Sequence, residues 1–101
     1  VKKSLAEAAL NQEMISDAPA CIFWSAIFER TTQFYGHRGR DRYVCMDLGH
    51  SAQNVYMQAE ALRLGTCAIG AFDDDRVKKV MQLPAEEVPL YIMPIGKYYA
   101  E

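Results

Sequence analysis

The sequence is short of several things, and each shortage excludes a class of function. It contains no apolar run near the length of a membrane span, so no membrane partner is expected. It lacks a basic excess: 11 Lys and Arg stand against 13 Asp and Glu, a net charge of −2. That removes the electrostatic case for a nucleic-acid partner. Cysteine is sparse and odd in number, with Cys21, Cys45 and Cys67 forming no CxxC pair. Neither a disulfide framework nor a zinc pattern fits, and buried free thiols in a reducing cytoplasm are the plain reading. Only two histidines occur. His50 has no second His or Cys at ligand spacing, so no metal site is expected, and packing or solvation outweighs catalysis for it. No internal repeat and no low-complexity segment appears.

What is present is apolar. Half of the 101 residues are hydrophobic, enough for one domain with a small core relative to its surface. Ser4 to Ile15 reads as an amphipathic helix with a Ser4–Glu7 capping box, ended by Asp17-Ala18-Pro19. Ala20 to Phe28 is apolar on both faces and reads as a central strand covered by helices, with Trp24 in the core. Glu29 to Tyr35 reads as a short helix before a turn at Gly36. His37-Arg38-Gly39-Arg40-Asp41-Arg42 is a basic cluster. It is either a grip on a phosphate or nicotinamide cofactor, or a solvated loop and helix start; the second is the simpler.

The stretch Asp47 to Asp73 organises the chain. Ala52, Val55, Tyr56, Ala59, Leu62 and Leu64 fall near the i, i+3, i+4 spacing of a helix face. Gly65 suits a left-handed helix end. Gly49, inside the same helix, reads as a close helix–helix contact. Thr66 to Ile69 reads as a short buried strand, broken by Gly70-Ala71. Asp73 reads as the N-cap of a helix to Leu83, with Phe72 stapling onto Val77 and Pro84 barring continuation. Asp73-Asp74-Asp75 complement the positive end of that helix, without need of a metal. Glu87 to Lys97 reads as a strand followed by Tyr98-Tyr99. Pro89 and Pro94 predict that it runs along an edge or carries a break. A strand ending in small residues before a helix leaves N–H groups for an acceptor-rich ligand.

The segment GHSAQNVYMQAEALRLGTCAIGAFDDDRVKKVMQLPAEEVPLYIMPIGK resembles the C-terminal half of FMN-dependent nitroreductase-family proteins, nearest the branch of peptide azoline dehydrogenases. The resemblance runs from about Leu5 to Lys97, and LGTCAIGAFDD and PLYIMPIGK are its most specific parts. It implies an α+β fold (an α/β sandwich) in partial form, with helices on a small, mainly antiparallel sheet across a single domain, 1–101. It implies FMN as cofactor and hydride transfer from NAD(P)H through the flavin to a small-molecule or peptide acceptor. It also implies a homodimer with flavin at the interface. Carried over residue by residue, Gly70 and Ala71 match the turn whose N–H groups approach the flavin N5 edge. Catalytic residues stay unknown, and Lys97 matches the family's phosphate-contacting base too loosely to assign. Phe34-Tyr35 stands where azoline dehydrogenases carry Lys-Tyr, and phenylalanine cannot abstract a proton. Such proteins carry a preceding half with an arginine- and serine-rich phosphate grip. With Val1 first and no counterpart of that grip, a fragment, processed product or truncated gene is expected. The alternative is a non-catalytic dimerisation or partner-binding remnant of the flavin fold.

Overall fold

A computed structural model describes residues 1–97, and the Tyr98-Tyr99 extension lies outside the described residues. In order, the elements are α1 (Lys2–Ala8), α2 (Glu13–Asp17), β1 (Ala20–Ile27), α3 (Glu29–Tyr35), a π-helical turn (Gly39–Tyr43), α4 (Val44–Ala61), β2 (Leu64–Thr66), α5 (Asp74–Met81) and β3 (Glu87–Lys97). The three strands form one antiparallel sheet in the order β1-β3-β2. This is a partial α+β sandwich.

The long strand β3 is therefore central, and β1 lies at an edge of the described sheet. That corrects the reading of β1 as a central strand. Two apolar faces report what packs above and below a strand, whereas edge status concerns its ladder. Cys21 and Phe23 pack on the main core while Trp24 donates its indole N–H to Met93 Sδ at 3.2 Å. Both faces of β1 are thus used although one ladder edge is free. The prolines of β3 are accommodated by breaks rather than by an edge position. Ile92 exchanges both backbone bonds with Ile69, so its N–H faces the β2 side. Pro94, two residues on, shares that side. The β2 ladder is interrupted there: Thr66 pairs Ile95, and pairing resumes only as an isolated bridge at Ile69. Pro89 lies beside the register shift opposite Trp24 and Ser25.

The core lies where α1, α2 and α5 meet the sheet. Leu5, Ala8, Ala9, Ile15, Val77 and Ile92 are its buried members, and Phe72 packs against it as the staple reading requires. Asp73 caps α5 by accepting from the Arg76 N–H.

Four local readings are corrected. Ser4 to Ile15 is two helices, broken where Leu10 and Asn11 take φ of 60° and 57°. Helix α1 begins at Lys2, so Ser4 caps nothing. Helix α4 ends at Ala61 with Arg63 in the left-handed region, while Gly65 sits in β2 opposite Gly96. Close packing falls on its partner in the pair: a Cβ on Gly96 would stand 2.8 Å from Pro19 Cδ. Gly49 is exposed, with no side chain near its missing Cβ, so it marks no helix contact. Within one chain α4 is also less buried than its pattern suggests: only Ala52 and Ala59 are fully covered, and Met57 is 64 % exposed.

Candidate functional site

The segment from Cys67 to Asp73 leaves the sheet, turns at Gly70-Ala71 and enters α5. Four attachments hold it. The Ala68 N–H donates to Tyr56 Oη of α4 at 2.6 Å. Ile69 and Ile92 exchange backbone bonds of 2.9 and 3.0 Å. The Gln12 side-chain N–H donates to the Ala71 carbonyl at 3.0 Å, and the Asp73 N–H to the Ala8 carbonyl at 3.0 Å. Between these points the N–H groups of Gly70 and Ala71 find no acceptor among the described residues, and both residues are exposed. The result is a tethered segment, bending at Phe72, that carries two unpaired N–H donors on exposed residues, and such donors are obligatory hydrogen-bonding groups.

Gly70 does not use a left-handed φ; among the glycines only Gly36 does. A Cβ on Gly70 would meet the Tyr91 ring at 3.4 Å, an ordinary contact. An L residue therefore fits the backbone here, and its side chain would first meet Tyr91.

The other singled-out residues are not drawn into this turn. Arg38 donates to Tyr43 Oη at 2.8 Å, and the Arg40 guanidinium lies 4.5 Å from the Phe28 ring centroid. Two arginines of the basic cluster thus engage neighbouring rings, in keeping with the simpler reading. His50 is exposed. Phe34 is 76 % exposed, and Tyr35 meets Tyr43 edge-on at 5.1 Å. No group of three His, Cys, Asp or Glu could hold a metal among the described residues. No helix among them is long and apolar enough to cross a membrane. The cysteines are free, but Cys45 and Cys67 are exposed, which corrects the expectation of three buried thiols. Apolar neighbours in sequence do not bury a residue on the outer side of α4 or in an outgoing loop. Cys21 alone is half-buried; desolvation raises its thiol pKa, partly opposed by the Lys2 charge.

A separate open cleft of about 790 Å³ is lined by Met14, Pro19, Thr66, Cys67, Pro94 and Lys97 among others. It does not include Gly70 or Ala71. Thr66 Oγ1 is buried there without a partner among the described residues.

The architecture is one part of an α+β sandwich whose sheet, turn and capped helix follow one another as in a larger domain. The nitroreductase family model matches residues 1–97, and the chain belongs to the nitroreductase family. It is 46 % identical over 97 residues to a candidate nitroreductase of Methanocaldococcus jannaschii, covering 96 % of this chain and 48 % of that protein. A solved candidate nitroreductase of Anabaena variabilis superposes with TM-score 0.86 at 36 % identity, over 97 % of this chain and 20 % of the other. The NfrA1 nitroreductase structure from Bacillus subtilis gives 0.79 at 25 % identity, over 98 % and 45 %. The chain spans about half the length of the curated relative it matches.

Gln12 and Tyr56 escaped sequence reading as parts of the site. Tyr56 reads as one more residue of a helix face, and Gln12 lies in the middle of an apparently continuous helix. Only the fold brings them to the turn, from 59 and 12 residues away in sequence.

Proposed function

We propose that the chain is part of an FMN-dependent oxidoreductase that takes hydride from NAD(P)H and passes electrons to a small-molecule or peptide acceptor. The observation that carries this reading is the tethered Gly70-Ala71 segment, whose two N–H groups find no acceptor among the described residues and lie on exposed residues, in a chain of this family. Those donors fit an acceptor-rich planar edge, such as the N5–O4 side of a flavin. FMN, when bound, supplies the hydride-accepting chemistry; the protein supplies orientation and electrostatics. Gly70 and Ala71 donate from the backbone, so the contact does not depend on the identity of a side chain. The Tyr91 ring supports Gly70 from behind. Proton abstraction by residue 34, as in azoline oxidation, is not part of this reading, because Phe34 carries no base. Pairing into a homodimer is part of it, as is a reducing cytoplasm, which suits the free thiols.

Two neutral donors contribute about 0.5–1.5 kcal/mol each, whereas micromolar affinity needs about 8 kcal/mol. Most of the binding must then come from phosphate and ring contacts beyond this turn. The 101-residue chain is expected to lose FMN on gel filtration, and a chain extended to the length of its relatives to keep it. In the extended chain, Gly70→Val is expected to weaken FMN binding: the backbone accepts an L residue, but a branched side chain beside the N–H donors would push the flavin ring away. Flavin fluorescence titration reads both. An extended chain that binds no FMN would sink the cofactor assignment. Unchanged affinity in Gly70→Val would sink the site assignment.

A further inference from the structure

The linker between α1 and α2 is locally unfavourable. Leu10 and Asn11 are both left-handed; asparagine takes this conformation readily, but Leu10 does not and is 65 % exposed, so for it neither torsion nor burial rewards the arrangement. Strain of this kind persists only where the surroundings over-determine it, and it points to a role. The surroundings are clear here. The linker places Gln12 so that its amide nitrogen reaches two carbonyls at once, Ala9 at 2.9 Å and Ala71 at 3.0 Å. Both partners are acceptors, so only the NH2 end of the side chain satisfies them. Ala8, the last residue of α1 before the linker, takes the Asp73 N–H on its carbonyl. The Gly70-Ala71 turn is thus gripped on its α5 side by the linker and on its β2 side by Tyr56.

We propose that Gln12 and Tyr56 are positioning residues of this segment: Gln12, together with the Ile69–Ile92 bridge, fixes the direction of the Ala71 N–H, Tyr56 holds the approach to that bridge at Ala68, and the left-handed linker is retained to bring Gln12 to the turn. The value of that direction rests on the flavin reading above; the clamp itself is measured without flavin. Neither residue touches the reacting atoms. Tyr56 takes the Ala68 N–H, and Gln12 fixes the plane of the peptide that joins Ala71 to Phe72. Loss of the Gln12 contact lets the Ala71 N–H rotate and loss of the Tyr56 contact frees Ala68, while the capped helix and the Ile69–Ile92 bridge, whose Ile69 carbonyl shares a planar peptide with the Gly70 N–H, remain.

The test is amide hydrogen exchange and NMR on the 101-residue chain, with the Val77 and Ile92 amides as core references. Tyr56→Phe keeps the ring and removes the acceptor. It is expected to speed exchange of the Ala68 amide by about fivefold, the effect of one ordinary hydrogen bond, with Val77 and Ile92 unchanged. Gln12→Glu sets a carboxylate against two carbonyls. It is expected to shift the Phe72 amide resonance at neutral pH and to restore it when acidification protonates the carboxyl, which can then donate again. Exchange at Ala68 that stays unchanged, or that rises only in step with Val77 and Ile92, overturns the clamp. So does a Phe72 resonance indifferent to Gln12→Glu. The flavin reading fails separately: in a chain extended to the length of its relatives and loaded with FMN, Gln12→Met, which removes the donor without adding charge, is expected to shift the flavin reduction potential. A loosened turn with an unshifted potential upholds the clamp and overturns the flavin contact.

Discussion

At the scale of single residues, two glycines that look alike in sequence do different work. Gly96 lies against Pro19, where an added methyl would come within 2.8 Å of a ring carbon that the backbone holds in place. Gly96→Ala is expected to destabilise the chain by about 1–3 kcal/mol through overpacking, read as a lower urea midpoint. Gly70→Ala meets only an ordinary contact and is expected to leave that midpoint nearly unchanged. The cysteines divide in the same way. Cys45 and Cys67 are exposed and are expected to react quickly with a thiol reagent. Cys21 is half-buried, donates to the Ile15 carbonyl at 3.6 Å, and has a raised pKa through desolvation. A raised pKa means less thiolate at a given pH. Its labelling is therefore expected to be the slowest of the three and to accelerate as pH rises, as followed by mass spectrometry. Equal rates at all three sites would contradict the burial pattern.

At the scale of elements, helix ends were legible where a side chain does the capping and illegible where the backbone alone decides. Asp73 announces α5 from sequence, and the cap is present. Asp73→Ala is expected to cost about 1 kcal/mol, measured by urea unfolding. The far end of α5 closes on Gln82 in a left-handed conformation. Gln82→Gly is accordingly expected to be stabilising by roughly 0.5–1 kcal/mol in the same assay. Nothing in Gln82, Arg63 or Leu10 marks them as left-handed, and Asn11, although asparagine takes that conformation readily, stands inside a helical pattern, so the ends they form lie beyond the sequence. The existence of β1, α3, α5 and β3 followed from apolar runs and turn residues. Their order in the sheet did not, because hydrophobicity reports faces and not ladder neighbours. The turn at Gly70-Ala71 was visible as a break in pattern, while its attachments to Gln12 and Tyr56 depend on long-range contacts that no local pattern encodes.

At the scale of the whole molecule, the chain is a thin slab. Its extents are 48 × 29 × 16 Å and its radius of gyration is 14.6 Å, above the roughly 13 Å typical of a compact domain of about 100 residues. Large apolar side chains are left outside: Met46 is 52 % exposed, Met57 64 % and Leu62 59 %. Met46 and Met57 are three helical turns apart and share one side of α4. That stripe is the surface we assign to homodimer contact. Sedimentation at roughly tens of micromolar, where modest interfaces dissociate, is expected to show a dimer, and Met57→Lys is expected to shift it toward monomer. A wild-type monomer under those conditions would remove α4 from the interface.

Pro94 has a consequence for how the sheet finds itself. A strand as long and apolar as β3, with neighbours on both sides, has several pairings of similar hydrophobic merit two residues apart. The proline makes them unequal. In the native alignment its missing donor falls in the gap between Thr66 and Ile69, where no ladder bond is required. Any slip along β2 carries that gap beneath a residue that needs a partner and leaves a carbonyl unpaired. The imino acid thus serves as a notch in a key: it adds nothing to the correct pairing and penalises the others.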